Sequence, residues 1–214
     1  QYEGQVQKLI DTHIKSTEVL QLTEQVNIFD RDAFAKEVEK LEGAAGRADM
    51  IASRTKKTLS ECMDEDPVLY KKLSELLQEA IDAFKAKRIS DLEYLQRATR
   101  VMEQLRQRST GNEPAVLDQR DEARAFYHLV CEVLAATGIE MEPERSAAIA
   151  LSLDDIIRAM RIVDWTRNED VKKRMEQAMD DRLYDLRNEG LELGYDVIDQ
   201  ILKGVMRIAE NRYA

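Results

Sequence analysis

The spacing of the apolar residues constrains this chain more than any other feature. Leucine, isoleucine, valine, methionine and aromatic side chains recur three and four positions apart along nearly all 214 residues, and strict alternation is almost absent. A period near 3.6 gathers such residues on one stripe of an α-helix, whereas a half-buried strand needs a period of two. Only 8 glycines and 3 prolines break the pattern, too few for the many turns of a sheet-rich fold. The chain therefore reads as all-α: a multi-helix bundle of about eight helices, with no sheet.

The segment MDEDPVLYKKLSELLQEAIDAFKAKR shows the pattern at its clearest. Asp66 suits an N-cap, Pro67 the first helical position, and Asp64 and Glu65 the positive end of the helix dipole. Leu69, Leu73, Leu76, Leu77, Ala80, Ile81 and Phe84 then make a continuous stripe, and Lys85, Lys87 and Arg88 close the negative end. Ser90, Asp91, Leu92 and Glu93 have the form of a capping box, followed by Leu95, Ala98, Met102 and Leu105. With so short a connection the two helices should fold back as a long antiparallel hairpin near 67–107.

The remaining elements follow from the same signals. Tyr2, Val6, Leu9, Ile10, His13 and Ile14 form a first stripe. Asp30 or Asp32 should cap a short helix ending near Leu41, and Gly43 and Gly46 should loosen the chain before a helix from about Arg47 to Met63. Later helices are expected around Ala123–Leu134, stopped by Gly138, and from about Glu144 to Asp164, with Ile149, Leu153, Ile156, Ile157, Met160 and Val163 inward. One more is capped by Asn168 and ended by Gly190, and the last runs from about Asp196 to Arg212. The cluster of Ser, Gly, Asn and Pro in RSTGNEPAVLDQ suggests an N-terminal sub-bundle over 1–108, a linker over 109–120 and a C-terminal sub-bundle over 121–214. One continuous helical domain over 1–214 is the alternative.

Charge narrows the function. The formal net charge is −10, with 18 basic against 21 acidic side chains in residues 1–113 and 14 against 21 in residues 114–214. Phosphate-backbone binding needs concentrated lysine and arginine, so domain-wide DNA binding is disfavoured, most strongly in the second half. Local basic groups remain: Arg54, Lys56 and Lys57, and, on the second hairpin helix, Arg97, Arg100, Arg106 and Arg108. A solvated face is the ordinary explanation, and contact with DNA or a neighbouring domain is the sharper one. Glu176, Asp180, Asp181 and Asp185 place acids at helical spacing, which is mildly destabilising and suggests either solvated surface or an acidic docking face. Trp165, the single tryptophan, ends a helix just before a cap and reads as a core anchor or as an interface residue.

Catalytic signatures are missing. No phosphate loop, no G-x-G-x-x-G and no H-E-x-x-H is present, so no catalytic, cofactor-binding or metal-binding residue is assigned. His13 and His128 lie far apart beside apolar stripes, where a hydrogen-bonded structural histidine is the usual case. Neither follows a glutamate by three residues, as a helical di-iron site requires. Asp64, Glu65 and Asp66 lack the glycine and distal glutamate of a calcium loop, and helix capping accounts for them. Cys62 and Cys131 read as free buried thiols of a cytoplasmic protein. There is no run of about 18 apolar residues to span a membrane and no signal peptide. The first residue is Gln; initiator Met is not normally trimmed before Gln, so a piece of a longer polypeptide is expected.

QLTEQVNIFD (21–30), ADMIASRTKKTLSECMDEDPVLYKKLSELL (48–77), KRISDLEYL (87–95) and, more loosely, WTRNEDVKKRM (165–175) resemble the helical C-terminal region of type I restriction enzyme R subunits. The segments sample nearly the whole chain in family order. The resemblance implies a parent protein with a PD-(D/E)xK nuclease domain and two RecA-like motor domains that pump DNA using ATP and Mg. It implies that this region follows the motor, has no cofactor of its own, and docks the subunit onto the methyltransferase and specificity subunits. No catalytic residue of the family carries over, because none of its catalytic motifs falls here. The reading is a non-catalytic docking domain. The alternative is a DNA-backbone contact module working through the basic face of the helices in 47–108.

Overall fold

The computed structural model describes residues 26–191 and 193–213, and all regular structure among them is helical. In chain order the described residues form α1 (Arg31–Glu39), α2 (Ala44–Glu61), α3 (Pro67–Lys85), α4 (Asp91–Gln107), α5 (Asp121–Ala136), α6 (Pro143–Met160), α7 (Glu169–Asp185) and α8 (Tyr195–Arg212). Short 3-10 turns lie at Met63–Glu65, Ala115–Leu117, Trp165–Arg167 and Leu186–Glu189. The first expected stripe, with His13, lies outside the described residues.

Side chains start four of these helices as the sequence predicts. The carboxylate of Asp30 accepts from the Ala33 amide, Asp66 from Leu69, the Ser90 hydroxyl from Glu93, and the Asn168 side chain from Val171. Each satisfies one amide that the helix itself leaves without a partner. The capping box forms by half, because the Glu93 carboxylate turns to Arg97 at 2.6 Å. The turn between α3 and α4 has no glycine. Instead Lys87 takes the left-handed conformation at φ 54, and the Lys87 and Arg88 amides donate to the Phe84 and Ala83 carbonyls. That pair of bonds closes a helix end in the Schellman manner.

Two boundaries differ from the expectation. α2 begins at Ala44 with Gly46 inside its first turn, and only Gly43, at φ 81, breaks the chain. α6 ends at Met160, where Arg161 turns extended. Val163, expected to face inward, is therefore 89% exposed, since helical spacing no longer governs it.

Buried apolar side chains gather in two large clusters. Helices α2, α3 and α4 pack against one another, with α1 on α2, around Leu59, Leu73, Leu77, Tyr94, Ala98 and Leu105. α5 packs on α6 and α8, and α7 on both of those, around Phe126, Leu153, Ile157, Met175, Met179 and Ile201. Burying each large apolar side chain stabilises the fold by about 1.5–3 kcal/mol. α8 packs closely on α5 at Gly204, where an added Cβ would lie 2.5 Å from Leu129 Cδ2. The segment 109–120, expected to be a linker, is packed rather than loose: Leu117 is fully buried with Ala123 and Ala147. α3 contacts α5, and the Met63–Glu65 turn contacts α8, so the halves meet along one seam. Cys62 and Cys131 are free and half-buried.

Candidate functional site

The seam is built from charge. Asp66 uses one carboxylate oxygen to cap α3 and the other to meet His128 Nδ1 of α5 at 2.8 Å. His128 Nε2 meets Glu113 at 2.9 Å. Glu113 also accepts from the hydroxyls of Ser109 and Thr110 and from the amides of Thr110 and Gly111, which shapes the loop after α4. Burial works against a charged imidazole, but hydrogen bonds to Asp66 and Glu113 carry the His128 pKa up to about 9. Burial likewise opposes a Glu113 carboxylate, yet its bonds to His128, Ser109 and Thr110 hold it far below the ordinary range. The result is a cation between two carboxylates with every ring nitrogen engaged. It fits an ionic clamp rather than a proton-transfer group.

Arginines complete the seam. Arg124, 6% exposed, donates to the Gln107 and Leu117 carbonyls at 3.1 and 3.0 Å. Arg212 donates to the Glu65 and Asp121 carbonyls, Arg207 pairs with Asp64, and Arg108 with Glu65. Asp64 and Glu65 thus do more than favour a helix end: they join α8 to the first half. Among the described residues no group of three or more His, Cys, Asp or Glu side chains is placed to hold a metal ion.

The basic residues singled out in the sequence do not form one face. Arg54 and Lys57 border a hollow with Val26–Phe29. Lys56 lies in a different groove, between α2 and α3, together with Lys71, and bonds Gln78 at 3.1 Å. Arg97 and Arg100 line a third, between α3 and α4, joined there by Lys72. Arg106 and Arg108 are drawn into structural roles: Arg106 pairs with Glu103 and donates to the Ile28 carbonyl, while Arg108 joins the seam.

The acidic residues fall on two sides of α7, Glu176 with Asp180 and Asp181 with Asp185, because successive residues of a helix point about 100° apart. Glu176, Asp181 and Asp185 are exposed on α7 and Asp180 is half-buried. Asp181 accepts from Gln177 at 2.9 Å; no cation pairs with any of the four among the described residues. Trp165 does not belong with them. It is 2% exposed in the second cluster, and its indole N–H donates to the Tyr213 carbonyl at 3.3 Å, so it offers no surface to a partner. Sequence reasoning missed Tyr184 and Tyr195, which are 49% and 82% exposed and line a hollow with Arg187 and Leu193. Tyr184 lies four residues after Asp180, on the same stripe, and that spacing was the available signal.

The family model described as type I restriction enzyme HindI endonuclease subunit-like, C-terminal, matches residues 1–214. A relative from Methanocaldococcus jannaschii that carries the name type I restriction enzyme MjaIXP endonuclease subunit is 23% identical over 221 residues. The match takes in 99% of this chain and 20% of the relative, so the chain spans about a fifth of that protein's length. No solved structure matches the chain.

Proposed function

Because the chain belongs to the family of C-terminal domains of type I restriction enzyme endonuclease subunits, we propose that it is a non-catalytic docking domain. In this reading it attaches the nuclease and ATP- and Mg-dependent translocase parts of a longer cytoplasmic polypeptide to the methyltransferase and specificity subunits. The observation that carries the reading is the α7 stripe. Its acids lack cationic partners among the described residues, and the side of α7 that carries Glu176 and Asp180 continues to the exposed Tyr184, which lines a hollow with the exposed Tyr195 of α8. Carboxylates four apart on a helix repel one another, and a basic partner surface would relieve that repulsion. Exposed tyrosines beside a shallow hollow are the side chains that dominate binding energy at protein interfaces. No described helix is long and apolar enough to cross a membrane, so the exposed apolar groups are not explained by a membrane-spanning helix.

The test is the affinity of the whole endonuclease subunit for its methyltransferase–specificity core. Tyr184→Ala with Tyr195→Ala should weaken binding about 30-fold, corresponding to roughly 2 kcal/mol for interface anchors. Neutralising the acids to amides should slow association, with an effect that shrinks in high salt. Unchanged affinity in both variants would place docking elsewhere.

A further inference from the structure

The groove between α3 and α4 holds a local excess of positive charge that the fold does not use. Lys72 projects from α3, and Arg97 and Arg100, three residues apart and so on one face of α4, line the same space of about 360 Å³. Neither Lys72 nor Arg100 has an acidic or carbonyl partner among the described residues. Arg97 has only Glu93 at 2.6 Å, an exposed pair one turn back along its own helix. Glu79 is the single acid on the groove wall. The contrast with the seam is sharp, because Arg108, Arg124, Arg207 and Arg212 all bond carboxylates or carbonyls.

The end of the groove is fixed in place. Gln104 donates to the Thr110 carbonyl at 3.2 Å, and Glu113 takes the Thr110 and Gly111 amides. This loop therefore sets the position of Asn112, a neutral donor on the wall. Two guanidiniums in a row along a helix, a lysine opposite and a neutral amide at one end suit a chain of phosphates. No aromatic side chain lines the groove, so nothing there stacks on bases.

We propose that this groove binds the phosphodiester backbone of duplex DNA without reading its sequence. The net charge of −10 does not oppose this at working salt, because charges beyond a Debye length of about 8–10 Å are largely screened. Only the local cluster then counts. The proposal is independent of the docking reading, which concerns α7.

The experiment titrates the full 214-residue chain with a duplex of about 30 base pairs and arbitrary sequence, long enough to span several helical turns, at two salt concentrations. Lys72→Ala, Arg97→Ala and Arg100→Ala together should weaken binding at least tenfold at the lower salt. They should also reduce the slope of log affinity against log salt by about 2–3, since each phosphate no longer neutralised takes about 0.9 from it. A control triple, Arg54→Ala, Lys56→Ala and Lys57→Ala, removes the same charge elsewhere and should change affinity less than twofold. A matched thermal melt shows that all variants are folded, and Arg97→Lys with Arg100→Lys should recover part of the binding in a folded background. Equal losses in the two triples would overturn the proposal, as would wild-type binding too weak to measure at the lower salt. Displacement of the duplex by inorganic phosphate at matched ionic strength would show a single-phosphate site and overturn the backbone assignment.

Discussion

In the first half of the molecule Thr55, on α2, is fully buried, and its hydroxyl has no hydrogen-bond partner among the described residues. In the second half Asp154, on α6, is equally buried, but Arg120 and Arg158 bond one carboxylate oxygen at 2.7 and 2.9 Å and the Tyr213 hydroxyl bonds the other. The difference follows from the cost of desolvation. An unpaired hydroxyl costs a kilocalorie or so and is tolerated, whereas an unpaired carboxylate would cost far more and must be surrounded. Within the first half the core rests mainly on apolar packing, and its buried carboxylate, Asp66, finds its partners at a helix start and across the seam. The second half is tied together by a charge whose partners come from the start of α5, from α6 and from the end of the chain. Burial and the bond to Asp154 push the Tyr213 phenol well above its ordinary range, so it stays a donor at every working pH.

The largest expected effect breaks that second arrangement. Asp154→Ala leaves the Tyr213 hydroxyl unpaired and removes the carboxylate that Arg120 and Arg158 share. Both arginines are partly exposed, at 28% and 37%, so water recovers some of the loss. The expected destabilisation is about 3 kcal/mol, the low end for breaking a buried ion pair. Urea unfolding followed by the fluorescence of Trp165, which bonds the Tyr213 carbonyl, is the measurement. A shift under about 1 kcal/mol, the size of an ordinary exposed pair, would mean that the node only decorates a core already fixed by packing.

A smaller effect concerns the seam where the halves meet. The His128 pKa is about 9 in the fold, above the ordinary value near 6.5. A raised folded pKa gives stabilisation that is complete below pH about 6.5 and is lost as pH rises through about 9. Stability should therefore fall by on the order of 2 kcal/mol across that window. His128→Gln should be less stable at neutral pH and nearly flat across the same range. If wild type and variant decline in parallel above neutrality, another group carries the alkaline transition.

How much of this was legible in the sequence depends on the range of the interaction. Helix starts rest on contacts three residues apart, so Asp30, Asp66, Ser90 and Asn168 were readable as caps. The apolar stripes were readable for the same reason, up to the point where α6 stops short and Val163 turns outward. The seam was not readable, since Asp66 and His128 are 62 positions apart and no local pattern distinguishes a carboxylate that caps a helix from one that also clamps a histidine. The basic residues failed in another way. Lys56 and Lys57 are neighbours in sequence, but successive residues on a helix point about 100° apart, and the fold sends them into different grooves. Arg97 and Arg100 stayed together because their spacing is helical.

The smallest expected effect has the opposite sign. Thr55→Val keeps the β-branched shape and removes the one atom that Thr55 buries without a partner. Valine and threonine differ little in helix propensity, so the change isolates the cost of desolvating a hydroxyl. A gain of up to about 1 kcal/mol is expected, seen as a higher urea midpoint with an unchanged slope. A loss of similar size would mean that the hydroxyl is bonded in solution, most simply to a trapped water. Thr55 would then follow the same rule as Asp154, that a buried polar group is satisfied, and would differ only in whether protein or water supplies the partner.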